Sequence, residues 1–431
     1  MKRIYVSFII SFYVFFLVSG CANAPNQDSK DKILEPGTSK TVLKVGAAKV
    51  DITPDFIKHD VTLAGPTGTR NATGLLDPIF VRAIVIKSRK VKIGIVSMEQ
   101  LCITSEIYDT ILTSVQNVGF TCVIVLATRT HNSEGQFSRN ILDQRLKTGK
   151  FQAASLEKRI IAAETALRIA DATAEEAQLV LESTKAELNI NDETIPFCVN
   201  KIRAEESVDT TFERLMFFSK ESKALICQMM YISALPIILD AENTKISGDL
   251  PGRLSKLSEN EYPHSVVIVV TSTVADLLPN EKIVNIFQKK RSDVEKLNVF
   301  AKRLQNLFYT RKKLNSTIDW DKSMQILQYE NIGDAVESIF DDAVVFEIKE
   351  IEVNSDTTNS QIFSLGRLII ASFPGESSAL HVREFREYTK KIKFTNAWFL
   401  ACCNCRTKTY PAEKWLNKMT KTLEKMTKPD N

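Results

Sequence analysis

Net charge is what this chain has least of. Its 56 basic and 52 acidic residues leave a formal charge of +4 over 431 residues. No basic cluster interleaves with aromatics, and a surface that neutralises a phosphate backbone needs one, so nucleic acid is excluded as an expected partner. No repeat or low-complexity segment follows residue 41, which excludes a solenoid. Zinc-knuckle spacing is also missing. Cys402-Cys403-Asn404-Cys405 is the one dense cysteine group, it lacks Cys-x2-Cys pairs, and adjacent cysteines rarely ligate one ion. A disulfide from one of these three stays open. Cys102, Cys122 and Cys227 lie in apolar runs and read as small buried hydrophobes.

What is present begins at the N-terminus. Lys2 and Arg3 precede an almost wholly apolar run, Ile4 to Val18, and then Val18-Ser19-Gly20-Cys21. A charged start, an apolar stretch and small residues before a cut describe a secretory signal. A cysteine at the cut resembles a bacterial lipobox. Residues 1–21 are therefore expected to be a lipoprotein signal with Cys21 as the lipidated first mature residue. An ordinary signal peptide or an N-terminal membrane anchor is the competing reading. Ala22 after the cysteine resembles outer-membrane sorting if the source has two membranes. Residues 22–41 are polar and carry Pro25, Pro36 and Gly37, a composition that predicts a flexible tether.

The chain as a whole, 25% charged and 44% hydrophobic, can bury one large core or two smaller ones. Strands are predicted at Val42–Val50, Ile79–Ile86, Val91–Val96, Cys122–Ala127, Phe212–Phe218, Ala224–Ile232, His264–Val270 and Leu365–Phe373. The second and third pair as a hairpin, as do the fifth and sixth. Helices are predicted at Ser105–Val118, at Ala153–Ala172 and over a long basic stretch, Ile283–Lys313. The expected fold class is α/β, mixed α+β, with sheets flanked by helices. At the C-terminus, Trp415, Met419, Leu423 and Met426 recur at helical spacing among lysines. Residues 416–431 read as a basic amphipathic helix that touches an anionic membrane or packs on the domain.

The run Cys122–Ala127 feeds Thr128-Arg129-Thr130-His131, where catalytic groups commonly sit. With histidine at 129 the stretch would hold a metal-ligand pair. It carries a permanent cation instead. His131 reads as a catalytic base or metal ligand, or as a hydrogen-bonded loop histidine. Asp249 and Asp276 bind something polar, or cap helices and hold turns. Glu376 is a ligand, a general base or half of a structural ion pair.

Six segments, in order, resemble the catalytic domain of the neutral/alkaline ceramidase family. They are Val45-Gly-Ala-Ala-Lys-Val-Asp-Ile-Thr-Pro54, Asp77-Pro-Ile-Phe-Val-Arg-Ala83, Ala127 to Ser133, Ser247-Gly-Asp-Leu-Pro-Gly252, Ala275-Asp276 with Pro279, and Pro374-Gly-Glu376. The resemblance covers about residues 42–415, read as one ceramidase-like domain. The chain is expected to lack the immunoglobulin-like domain that larger members add. The resemblance implies a zinc amidase that cleaves the N-acyl bond of ceramide. Two His, a Glu and a Tyr would hold a zinc whose bound water attacks the amide.

Carried over residue by residue, that ligand set is depleted. The first histidine falls on Arg129, which has no lone pair to give a metal. The second falls on Leu235, before Pro236. The tyrosines fall on Arg406 and Thr409, with Tyr410 one residue out. The substrate-binding Asn-Arg pair falls on Asn191-Asp192. Glu376 is the ligand retained, and His131 keeps the place near substrate. His59, His264 and His381 fall outside the matched positions and read as structural.

An Arg129–Glu376 ion pair is predicted to replace the zinc–carboxylate bond. No cofactor is expected, or zinc if the site was rebuilt. The leading reading is a lipid-anchored envelope protein, degenerate in zinc binding, that binds a lipid or amide-containing ligand and meets the membrane through Cys21. The alternative is an active N-acyl amide hydrolase using His131 and Glu376, with Asp249 or Tyr410 as partners. A structural envelope lipoprotein that inherited the fold is the third.

Overall fold

The structure is a computed structural model. The chain divides into two units, residues 1–40 and 41–431. The structure describes residues 43–401, apart from 66–69, 89–90, 191–192, 203–207, 240, 286–291, 313–342, 354–355, 366–367, 374, 392–393 and 395. Cys21, Asn191-Asp192, Cys402, Cys403, Cys405, Arg406, Thr409, Tyr410 and the C-terminal helix therefore lie outside the described residues.

Eight strands form the large sheet: β1 Lys44–Asp51, β2 Phe80–Lys87, β3 Lys92–Met98, β4 Cys122–Ala127, β5 Glu175–Lys185, β6 Thr211–Ser219, β7 Leu225–Ile232 and β8 Val266–Thr271. Their spatial order is β8-β7-β6-β5-β1-β2-β3-β4. A second sheet runs in sequence order through β9 Ala343–Val353, β10 Asp356–Leu365, β11 Leu368–Ser372 and β12 Asn396–Leu400. Most neighbours are antiparallel, but β3–β4, β7–β8 and β11–β12 are parallel. A parallel pair needs a crossover. Helices α1 Ser105–Val115, α3 Asp249–Glu261 and α5 Ala379–Lys391 supply the three. The other long helices are α2 Ala153–Ala172 and α4 Asp293–Lys312.

Apolar packing arranges these into four layers. One core lies between the sheets, where Ile84, Ile124, Met229 and Ile268 meet Phe363, Ile370 and Trp398. Trp398 is fully buried, stacks on Tyr231 with ring centroids 5.2 Å apart and donates Nε1–H to Glu213. A second core sets α1 and α2 against β1–β4 through Ile107, Ile111, Ala163 and Leu167. A third sets α3 and α4 against β7 and β8 through Leu254, Phe300 and Leu304. Phe385 of α5 meets Phe399 on the outer face of the small sheet. Strands covered on both faces read as continuous apolar runs, which is why Cys122–Ala127 was legible. Gly46 lets α2 lie directly on β1, since a Cβ there would stand 2.0 Å from the Ala170 carbonyl oxygen.

Two expectations need correction. Ile283–Lys313 is not one helix. A short helix spans Glu281–Asn285, and α4 starts afresh at Asp293. The new start is a capping box: Ser292 N–H donates to Glu295 at 2.9 Å, and Glu295 N–H donates back to Ser292 Oγ. Leu365–Phe373 is not one strand, because β10 ends at Leu365 and β11 begins at Leu368. Strand β5 and the β9–β10 hairpin were not anticipated.

Candidate functional site

Loops leaving the carboxyl ends of β4, β7, β8 and β11 converge, the usual place for a site beside parallel strands. Thr128 and Arg129 leave β4 with their N–H groups bonded to the Met98 and Gln100 carbonyls at 3.0 Å each. Arg129 sits at φ 66, a left-handed backbone uncommon for a side chain of this size. Its guanidinium Nη2 donates to Glu376 Oε1, so the predicted ion pair is present. Glu376 is held from the other side. Ser377 Oγ donates to the Ser272 carbonyl, while the Ser377 carbonyl accepts from Val274 and Ala275 N–H at 3.1 Å. Leu235, on the loop after β7, donates its N–H to the Leu277 carbonyl at 2.8 Å and packs against Val274 and Ala401.

His131 is half-buried two residues beyond Arg129. Burial, and then the charges of Arg129, Arg70 and Lys147, hold its imidazole down to about 3. It is neutral at physiological pH and a poor proton acceptor. Its carbonyl takes an Arg70 Nη2 hydrogen bond at 2.5 Å.

Asp249 is fully buried at φ 53. Its carboxyl accepts from Ile238 N–H at 3.0 Å, Leu250 N–H at 2.8 Å, Leu239 N–H at 3.3 Å and Asn132 Nδ2 at 3.2 Å. Burial still pushes it up to about 7. These bonds tie the loop after β7 to the start of α3 and to the loop after β4, as the turn-holding reading requires. Asp276 receives Ala379 N–H at 3.0 Å and so caps α5.

Most of the matched segments meet at such joints. Ile79 N–H donates to Thr53 Oγ1 at 3.0 Å. Ser247 Oγ donates to Asp77 at 3.1 Å, and Thr130 Oγ1 donates to the Ser247 carbonyl at 2.9 Å. Sequence reasoning missed Asn132, which is fully buried and also accepts Asn243 Nδ2 at 2.8 Å. Its only signal was its place beside His131. A cavity of about 440 Å³ lies apart, among β1, β2 and α3. Its lysines are committed, Lys49 to Glu259 at 2.6 Å and Lys256 to Asp77 at 3.3 Å.

The profile described as neutral/alkaline non-lysosomal ceramidase, N-terminal, matches residues 43–292. The chain belongs to the neutral/alkaline ceramidase family. Among solved structures, this ceramidase-family chain is similar to a neutral ceramidase from Pseudomonas aeruginosa. The TM-score is 0.67 at 14% identity, over 89% of this chain and 74% of that one. It is also similar to a ceramidase complexed with C2, with TM-score 0.65 at 13% identity over the same shares. At such identities the likeness shows the fold. A comparison with curated proteins gives no match.

Proposed function

We propose that this chain is a ceramidase-fold protein whose zinc position has been closed by an ion pair, and that it binds a lipid or amide-containing ligand without hydrolysing it. The Arg129–Glu376 contact carries the reading. A zinc site needs about three donors with lone pairs and an open position. At the positions the resemblance assigns to zinc, Arg129 offers only N–H donors, and Leu235 offers aliphatic carbon packed on Val274 and Ala401. Glu376 is engaged by Arg129. These residues do not fit the metal, and no group of three or more His, Cys, Asp or Glu among the described residues could hold one.

The alternative, an N-acyl amide hydrolase with a rebuilt site, needs a base and an electrophile. His131, held down to about 3, is a weak base, and Arg129 is occupied by Glu376. The envelope placement rests on the sequence of residues 1–41, with Cys21 as the lipidated residue. Among the described residues no helix is long and apolar enough to cross a membrane.

The test pairs binding with turnover. A fluorescent N-acyl amide of a long-chain amino alcohol is titrated into residues 41–431 and followed by anisotropy, with released amine assayed in parallel. Saturable binding that survives a chelator, without amine release, supports the proposal. Amine release abolished by Glu376→Ala overturns it in favour of the hydrolase. Absence of binding also overturns it and leaves the structural lipoprotein.

A further inference from the structure

The loop after β4 does not end at the candidate site. It continues into a short helical segment, Ile141–Asp143 followed by Gln144–Thr148. This segment is inside out. Asp143 is buried and accepts Ser138 Oγ at 3.0 Å. Asn140 Oδ1 caps the Leu142 and Asp143 N–H groups at 2.9 and 3.2 Å. Gln144 bonds the Arg139 carbonyl at 3.1 Å and the Phe151 N–H at 3.3 Å. Asp143 thus faces inward, and with Asn140 and Gln144 it fixes the backbone. Ile141, Leu142 and Leu146 face outward, 65%, 66% and 58% exposed.

The backbone around the segment is anchored as well. Gly65 N–H donates to the Lys147 carbonyl at 2.9 Å, and Gln136 N–H to that of Thr148 at 2.5 Å. A Cβ on Gly135 would stand 2.2 Å from the Thr148 carbonyl oxygen. Three large aliphatic side chains held outward on an anchored backbone are a built feature, and exposed apolar groupings of this kind mark interaction sites.

The flanking charge selects the partner. Arg145, Lys147 and Lys150 lie in the same stretch as the three aliphatics, the one acid within residues 139–150, Asp143, is buried, and Arg139 is paired with Glu106 at 2.8 Å. Apolar tips beside bases suit a layer with an anionic surface and a hydrocarbon interior. Three side chains fall short of a stable protein interface, which needs roughly 1,000 Å² of buried surface. Lys147 is also one of the cations acting on His131, so the patch lies beside the candidate site.

We infer that Ile141, Leu142 and Leu146, with Arg145, Lys147 and Lys150 in the same stretch, form an interfacial docking tip that inserts into an anionic lipid surface and turns the loop carrying His131 toward it. This goes beyond the ligand-binding reading and stands whether or not the site holds zinc.

The test is co-sedimentation of residues 41–431, a compact unit of their own, with phosphatidylcholine vesicles containing or lacking phosphatidylglycerol. Leu142→Ser/Leu146→Ser and Arg145→Gln/Lys147→Gln are compared with Ile202→Ser, an exposed apolar residue of another segment. Wild type is expected to prefer the anionic vesicles. The leucine pair should weaken binding by at least about tenfold and the basic pair by about tenfold, more so at low salt. Ile202→Ser should leave binding unchanged. Circular dichroism confirms that each variant is folded. Absence of vesicle binding by wild type, or equal binding by the leucine pair, overturns the inference. So does a wild-type dimer in light scattering that the leucine pair dissociates, since the tip would then be a contact between copies. A ligand that binds while vesicles do not would sink this inference and spare the ligand-binding reading.

Discussion

Removing either partner of the Arg129–Glu376 pair should cost different amounts of stability. The Arg129 side chain is 17% exposed and that of Glu376 is 44% exposed. Water reaches the carboxylate, so the attraction is discounted toward that of a surface pair, about 1 kcal/mol of coupling at low salt. Glu376→Gln takes a carboxylate away from a largely buried guanidinium, at about 1–2 kcal/mol. Arg129→Ala leaves a carboxylate that can turn to solvent, at under about 1 kcal/mol. Arg129→Gly should cost less again, because position 129 is left-handed and glycine adopts that conformation freely. Urea unfolding of residues 41–431, of Arg129→Ala, Glu376→Gln and the double variant that completes the cycle, and of Arg129→Gly, followed by circular dichroism, measures these differences. Coupling within about 0.3 kcal/mol of zero, or coupling indifferent to salt, would refute the reasoning.

Three further outcomes follow from the same geometry. Asp249→Ala should destabilise by about 3 kcal/mol or more, since three backbone N–H groups lose their acceptor, while Asp249→Asn, which keeps an acceptor and tolerates the left-handed backbone, should cost less in thermal unfolding. His131 takes a proton near 6.5 when unfolded and near 3 when folded, so its contribution to stability is lost as pH falls below about 6.5, by at most about 1.4 kcal/mol per pH unit. Urea midpoints should show a shallower slope in His131→Gln. Asp249, pushed up to about 7, works oppositely: its contribution is present below 3.8 and is lost as pH rises through about 7. Arg129→His alone should not bind zinc, because Leu235 stays apolar; Arg129→His/Leu235→His should gain affinity measurable by calorimetry.

The sequence was most legible where chemistry is local. Ala153–Ala172 forms as predicted, because Leu156, Ala163, Leu167 and Ala170 recur on one buried face. The apolar strands were legible because both faces are covered. Strand β5 was not, although it lies mid-sheet, because its run Glu175–Lys185 is charged. Its Glu182 is satisfied by Arg214 of β6, a partner 32 residues away that no local pattern announces. The ion pair was legible from a substitution, since a cation at the place of a metal ligand suggests the carboxylate it will meet. The joint that uses Asp249 was not legible in detail. It depends on backbone N–H groups of Ile238 and Leu239, which any residue but proline would supply.

Zinc content tests the central claim most directly. Residues 41–431 would be incubated with zinc, desalted and subjected to elemental analysis beside Glu376→Ala. The account predicts no zinc retained by either protein. About one zinc per chain, lost in Glu376→Ala, would contradict it and restore the hydrolase.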